Sequence, residues 1–203
     1  MENILHFDLI LFLKTAGYLG MFLVVFSESG LLIGFFLPGD SLLFTAGFLA
    51  SQGFFELIPL ILITLVAAIT GDSVGYTFGK TVGPKIFTRE DSLFFHKDHL
   101  ERARIFYEHH GGKAIIFARF LPLVRTFAPI LAGVGNMKYS TFLFYNIAGG
   151  ILWTLLLTLF GYYLGKTIPD VDTYLLPIVG SIIAISLIPS IVHIVRYTFL
   201  KKK

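Results

Sequence analysis

Long apolar runs, separated by short polar breaks, set the pattern of the chain. Residues 9–27 are apolar except for Lys14, which lies close enough to one end to carry its ammonium to an interface while its stem stays in hydrocarbon. This run predicts a first spanning helix, residues 57–79 a second, and the uninterrupted stretches 139–164 and 174–197 two more. The first eight residues lack the basic region and small-residue cleavage site of a signal peptide, so the first segment is expected to be retained.

Two further apolar runs are interrupted. Residues 28–51 are broken by Gly30, Gly34 and the Pro38-Gly39-Asp40 corner, and residues 114–137 by Arg119, Pro122, Arg125, Pro129, Gly133 and Gly135. The pieces are too short to span, so each run predicts a re-entrant hairpin, tolerated at membrane depth only where protein or a wet cavity surrounds its unpaired backbone. Between them, residues 80–113 form the strongly polar stretch. Asp91 or Ser92 there is expected to cap an amphipathic interfacial helix that runs through Leu93, Phe94, Leu100, Ala103 and Phe106 and stops at His109-His110-Gly111-Gly112.

The two halves repeat. Phe36-Leu37-Pro38 matches Phe120-Leu121-Pro122, and the segment from Gly75 through Gly79-Lys80-Thr81 matches that from Gly161 through Gly165-Lys166-Thr167, at offsets of 84 and 86 residues. With the polar loop cytoplasmic, twelve Lys/Arg residues fall on that side and only Lys166 on the other, a strong positive-inside signal that places both termini in the cytoplasm. The hairpins then enter from opposite faces. The expected fold is an all-α polytopic membrane protein, one domain over residues 1–203, with an inverted repeat of hairpin plus spanning helix, four full spans and a cytoplasmic amphipathic helix. Paired broken segments in inverted halves are the usual sequence pointer to a transporter site near the midplane.

Composition agrees with bilayer as the solvent: 55% of residues are hydrophobic, 14% are charged, and mean hydropathy is +0.79. Spans and hairpins use up the length and leave no room for a separate catalytic domain, so no enzymatic activity is expected. The absence of cysteine removes disulfide, thiolate and Cys-type metal chemistry. The histidine pairs His96/His99 and His109/His110 lack a matching ligand pattern, so neither a metal nor any other cofactor is expected.

Chemistry is then concentrated in the ionisable groups inside apolar runs: Glu28, Asp40, Asp72, Arg119 and Arg125, with Lys14 and His193 peripheral. A charge at bilayer depth costs roughly 2.5–3.5 kcal/mol on insertion scales, so these groups are expected to face one another or a wet cavity. Arg119 and Arg125 suit a phosphate clamp, because guanidinium is permanently charged and its fork fits two anionic oxygens; the competing reading is a structural ion pair with Glu28 and Asp40. Glu28 and Asp40 suit proton coupling, while Asp40 could instead cap a helix after Pro38-Gly39. Asp72 ranks second, as a packing or capping group. Pro38, Gly39, Pro122, Pro129 and Gly133 are read as hairpin breakers. Gly75, Gly79, Gly161 and Gly165 are read as close-packing pairs, and Tyr76, Tyr162, Tyr163 and Trp153 as interfacial or packing aromatics.

Glu28 and Asp40 around Phe-Leu-Pro-Gly, together with Phe117-Ala-Arg119-Phe-Leu-Pro122-Leu-Val-Arg125-Thr-Phe-Ala-Pro129, Gly133 and Met137, resemble the DedA family, also called the SNARE-associated or VTT-domain superfamily. The likeness covers roughly residues 20–166. It implies two hairpins meeting inside a helical bundle of a bacterial cytoplasmic membrane. It implies a flippase returning undecaprenyl phosphate to the cytoplasmic face for cell-wall synthesis, linked to the proton-motive force, with Glu28, Asp40, Arg119 and Arg125 required. A phosphatidylethanolamine or general phospholipid translocase or scramblase is the nearest alternative. A proton-coupled cation antiporter, with the acidic pair as its site, and a membrane-embedded lipid phosphatase are the others. The expected partner is a membrane lipid rather than nucleic acid, and a homodimer is an assembly the sequence allows.

Overall fold

A computed structural model describes residues 9–31, 37, 39–86, 105–107 and 109–167. The expected span 174–197, the cap at Asp91 or Ser92, His96, His99, Pro38, His193 and the terminal lysines lie outside the described residues, as does the side chain of Lys14.

The described backbone is all helical. Among the described residues the helices in order are α1 (Leu9–Gly30), α2 (Gly39–Ser51), α3 (Leu57–Ile86), α4 (Lys113–Arg119), α5 (Pro122–Val134) and α6 (Tyr139–Thr167), with residues 105–107 and 109–110 also helical. α3 and α6, of 30 and 29 residues, are long and apolar enough to cross a membrane. At 1.5 Å per residue, α2 and α5, with 13 residues each, extend only about 20 Å, short of a roughly 30 Å hydrocarbon core. α1 is interrupted at Gly17, whose φ of 56° and ψ of −150° break the helical geometry. The polar segment stops where expected: Gly111 adopts a left-handed φ of 61° and its N–H donates to the Tyr107 carbonyl at 2.9 Å.

The second broken run divides at Phe120-Leu121. Leu121 is extended (φ −110°, ψ 105°), as a residue preceding proline prefers, and Pro122 opens α5 where a missing N–H costs nothing. Pro129 and Gly133 differ from expectation, because both lie within α5 and neither breaks it. Gly133 instead lets α5 press against the Tyr76 carbonyl of α3, where a Cβ would collide.

α2 and α5 each lie along one long helix of the other half. Asp40, Phe48 and Ser51 of α2 meet Trp153, Gly161 and Gly165 of α6, so the two run parallel. Pro129, Ile130 and Val134 of α5 meet Gly75, Gly79 and Gly83 of α3, again in parallel. α3 and α6 are antiparallel, with Asn146 bonded to the Ile69 carbonyl and Tyr139 to Ser73. α2 and α5 therefore run in opposite directions, and their first turns meet in the middle of the bundle, where Arg125 bonds Asp40.

Glycine permits these approaches. A Cβ on Gly79 would strike the Ile130 carbonyl and one on Gly161 the Phe44 carbonyl, whereas one on Gly75 meets Pro129 at an ordinary 3.5 Å. Gly79→Ala or Gly161→Ala is thus expected to destabilise the bundle by about 1–3 kcal/mol, as overpacking against backbone does, and Gly75→Ala by under about 1 kcal/mol. Thermal unfolding in detergent measures the difference; equal losses at Gly75 and Gly79 would contradict this packing.

Candidate functional site: a buried arginine and carboxylate network

Six helices contribute charge or hydrogen-bonding groups to one place. Glu28 sits in the last turn of α1, before the break rather than within a hairpin, and is 2% exposed. Asp40 is in the first turn of α2, where an acidic side chain also complements the helix dipole. Asp72 is buried in the middle of α3, Arg119 ends α4, Arg125 lies in the first turns of α5, and Asn146 and Trp153 project from α6.

Arg125 bridges the end of α1 and the start of α2: one guanidinium nitrogen pairs with Glu28 and the other with Asp40. Gly39 makes this geometry feasible, since a Cβ there would overlap the Glu28 carboxyl. Its role is close approach to Glu28 as well as the start of α2. Glu28 Oε1 is held by Arg125, while its buried Oε2 has no hydrogen-bond partner. Arg119 does not join Glu28 and Asp40; it pairs with Asp72 and donates to Asn146, whose amide in turn donates to the Ile69 carbonyl at 3.1 Å. Asp72 is therefore an arginine partner rather than a cap.

Trp153 joins the two networks. Its indole N–H donates to Asp40 at 2.8 Å, and its ring lies 5.0 Å from the Arg125 guanidinium carbon and 5.8 Å from that of Arg119. These separations are within the range of cation–π attraction. It is 3% exposed and a member of the site, not an interfacial aromatic. Asn146 and Trp153 carried no sequence signal of their own: a polar residue and an aromatic in an apolar helix are common. The one available clue is that a helix periodicity places them seven residues apart on one face. Tyr76 is likewise buried, and its hydroxyl donates to the Met137 carbonyl.

Between the arginines is a void of about 10 Å³ bounded by Ser29, Asp72, Arg119, Arg125, Pro129 and Trp153, room for about one water. A phosphate does not fit there while the ion pairs are closed. The arrangement can hold charge in a low dielectric, and it can exchange partners, because guanidinium donates to carboxylate or phosphate oxygens with the same geometry.

An all-helical membrane protein with buried, arginine-centred ion pairs at the meeting point of two short helices is the class that this architecture defines. The chain matches the VTT domain model over residues 37–163. It is 45% identical over 203 residues to Protein DedA of Escherichia coli K12, covering 97% of this chain and 92% of that protein. It is 41% identical to an uncharacterized membrane protein of Mycobacterium tuberculosis H37Rv (87% and 78% covered) and 37% identical to the inner membrane protein YqjA of Escherichia coli K12 (74% and 68%). The chain belongs to the DedA family of VTT-domain membrane proteins. No solved structure matches it.

Breaking one buried pair leaves its partner charged and unsatisfied, so Asp72→Leu is expected to destabilise the protein by about 3–5 kcal/mol, with most of the loss recovered in Asp72→Leu/Arg119→Leu. A double-mutant cycle by chemical denaturation in detergent checks this; purely additive losses would show that the pair is not coupled. Trp153→Phe keeps a ring between the arginines and loses the bond to Asp40, an expected cost of about 1–3 kcal/mol in the same measurement.

Proposed function

We propose that the protein is a lipid translocase that moves a polyprenyl phosphate, undecaprenyl phosphate in a bacterium, across the cytoplasmic membrane for reuse of the carrier, without enzymatic conversion. Arg119 and Arg125 hold the phosphate, and Glu28, Asp40 and Asp72 hold the arginines when the phosphate is absent. The observation that carries this reading is the exchangeable pairing itself: Arg119 is buried, the Arg125 side chain is 10% exposed, and both are satisfied by carboxylates that an anionic headgroup can replace.

Charge balance supports a link to protons. Three carboxyl groups face two guanidinium groups, so the network is neutral only with one proton on its carboxyls. A phosphate that takes over the arginines adds negative charge, and the displaced carboxylates must then bind protons or reach water. The proton-motive force acts on that step. The opposed short helices, each lying on the long helix of the other half, support an inverted repeat with alternating access, and the Lys/Arg distribution supports cytoplasmic termini. A cation antiporter fits less well, since Arg125 occupies the space between Glu28 and Asp40 that a cation would need. A phosphatidylethanolamine substrate would use the same clamp and is separated by headgroup competition.

The test is transport of labelled polyprenyl phosphate in proteoliposomes under an imposed pH gradient. Arg119→Gln/Arg125→Gln is expected to lower the rate at least about tenfold, the loss of one to two charge-assisted phosphate contacts. Glu28→Gln is expected to leave movement less responsive to the gradient. An unchanged rate in the double arginine variant would sink the clamp.

A further inference from the structure

We infer that the groove on the outer side of α4 and α5 is a binding site for the hydrocarbon chain of a phosphate-headed lipid, with His110 and Lys113 at its mouth receiving the phosphate before it reaches the arginines. The inference rests on the lipid-phosphate reading above and adds a place where the lipid waits.

The groove measures about 820 Å³, within the size range of small-ligand sites, whereas the void between the arginines admits about one water. Its floor is built of small buried residues, Ala118 and Ala128, so the depression lies between α4 and α5 rather than on a convex helix face. Phe117, Leu121 and Val124 rise along it and are 71%, 54% and 43% exposed. A peptide would meet almost no polar partners along this lining, and an unpaired backbone group in such surroundings is costly. A saturated or isoprenoid chain asks for none.

The polar edge selects the headgroup. His110 and Lys113 are both exposed at the mouth, and no carboxylate is among the described residues that line the groove. The Lys113 ammonium at the edge of an apolar trough complements an anionic amphiphile. Lys113 also begins α4, the helix that ends at Arg119.

The groove and the arginine void share a wall. Ala128 lines both, next to Pro129, which also lines the void. Inside α5, Pro129 has no N–H for the Arg125 carbonyl, so α5 lacks one helical bond at the wall that the groove and the void share. The short route from the mouth to the clamp crosses that wall.

The experiment uses the full chain in phosphatidylcholine nanodiscs containing a polyprenyl phosphate with a diazirine in its chain. After irradiation, adducts are expected on residues 117–124. Unlabelled polyprenyl phosphate is expected to compete at least about tenfold better than the corresponding polyprenol, the size of one charge-assisted contact. Val124→Trp fills the trough and is expected to lower labelling at least about fivefold; Lys113→Ala/His110→Ala is expected to remove the preference for phosphate over alcohol while the chain still labels. Labelling spread equally onto Leu152 and Phe160, which are 50% and 61% exposed on α6, would identify annular lipid only and overturn the site. Labelling untouched by Val124→Trp would overturn it as well, including the case in which another part of the chain occupies the groove. The readout needs no transport, so the two readings fail separately. Groove labelling with arginine-independent transport defeats the clamp alone, and arginine-dependent transport without groove labelling defeats the waiting site alone.

Discussion

The bundle is organised around the cost of burying charge. A guanidinium at membrane depth must find an anionic partner, and a carboxylate must find a cation or a proton; neither can be left alone without a penalty comparable to the stability of a whole domain. Arg125 meets this requirement by holding the end of α1 and the start of α2 together through Glu28 and Asp40. Arg119 meets it through Asp72 and Asn146, which ties α4 to the two long helices. The ionic contacts therefore fix where the breaks in the chain lie relative to the spans.

Packing provides the closeness those contacts need. Gly79, Gly133 and Gly161 let helices approach until a backbone carbonyl occupies the space of an absent side chain, and Gly39 leaves room for the Glu28 carboxyl. Such contacts carry little energy individually, and their effect is geometric. They bring α2 and α5 first turn to first turn, so that the acidic and the basic segment share one site with Trp153 between the arginines. The network is also the natural place for exchange, because every ionic partner in it has an equivalent in a phosphate or a proton.

Much of this was legible in the residues. Four of the charged site residues stood out because charges are rare in apolar runs, and the repeat of Phe-Leu-Pro with the glycine-lysine segments indicated paired halves. The long helices α3 and α6 cover the expected stretches 57–79 and 139–164 and continue a few residues beyond. Asp72 was underweighted because its neighbours Gly71 and Ser73 suggested a packing role, and nothing local reveals an arginine 47 positions away. Asn146 and Trp153 were invisible for the same reason, since their chemistry lies in whom they face. Pro129 and Gly133 were read as breaks on propensity, yet α5 continues through both because packing on α3 overrides local preference.

The amino-acid sequence by itself determined the solvent, the helical class and the inventory of charges that had to be neutralised, because these follow from hydropathy, segment length and the expense of burying an ion. Tertiary structure alone decided the pairing. Arg125 takes both carboxylates of the first broken segment and Arg119 takes Asp72, a choice set by helix direction and glycine-permitted approach rather than by any property of the arginines, which are chemically identical.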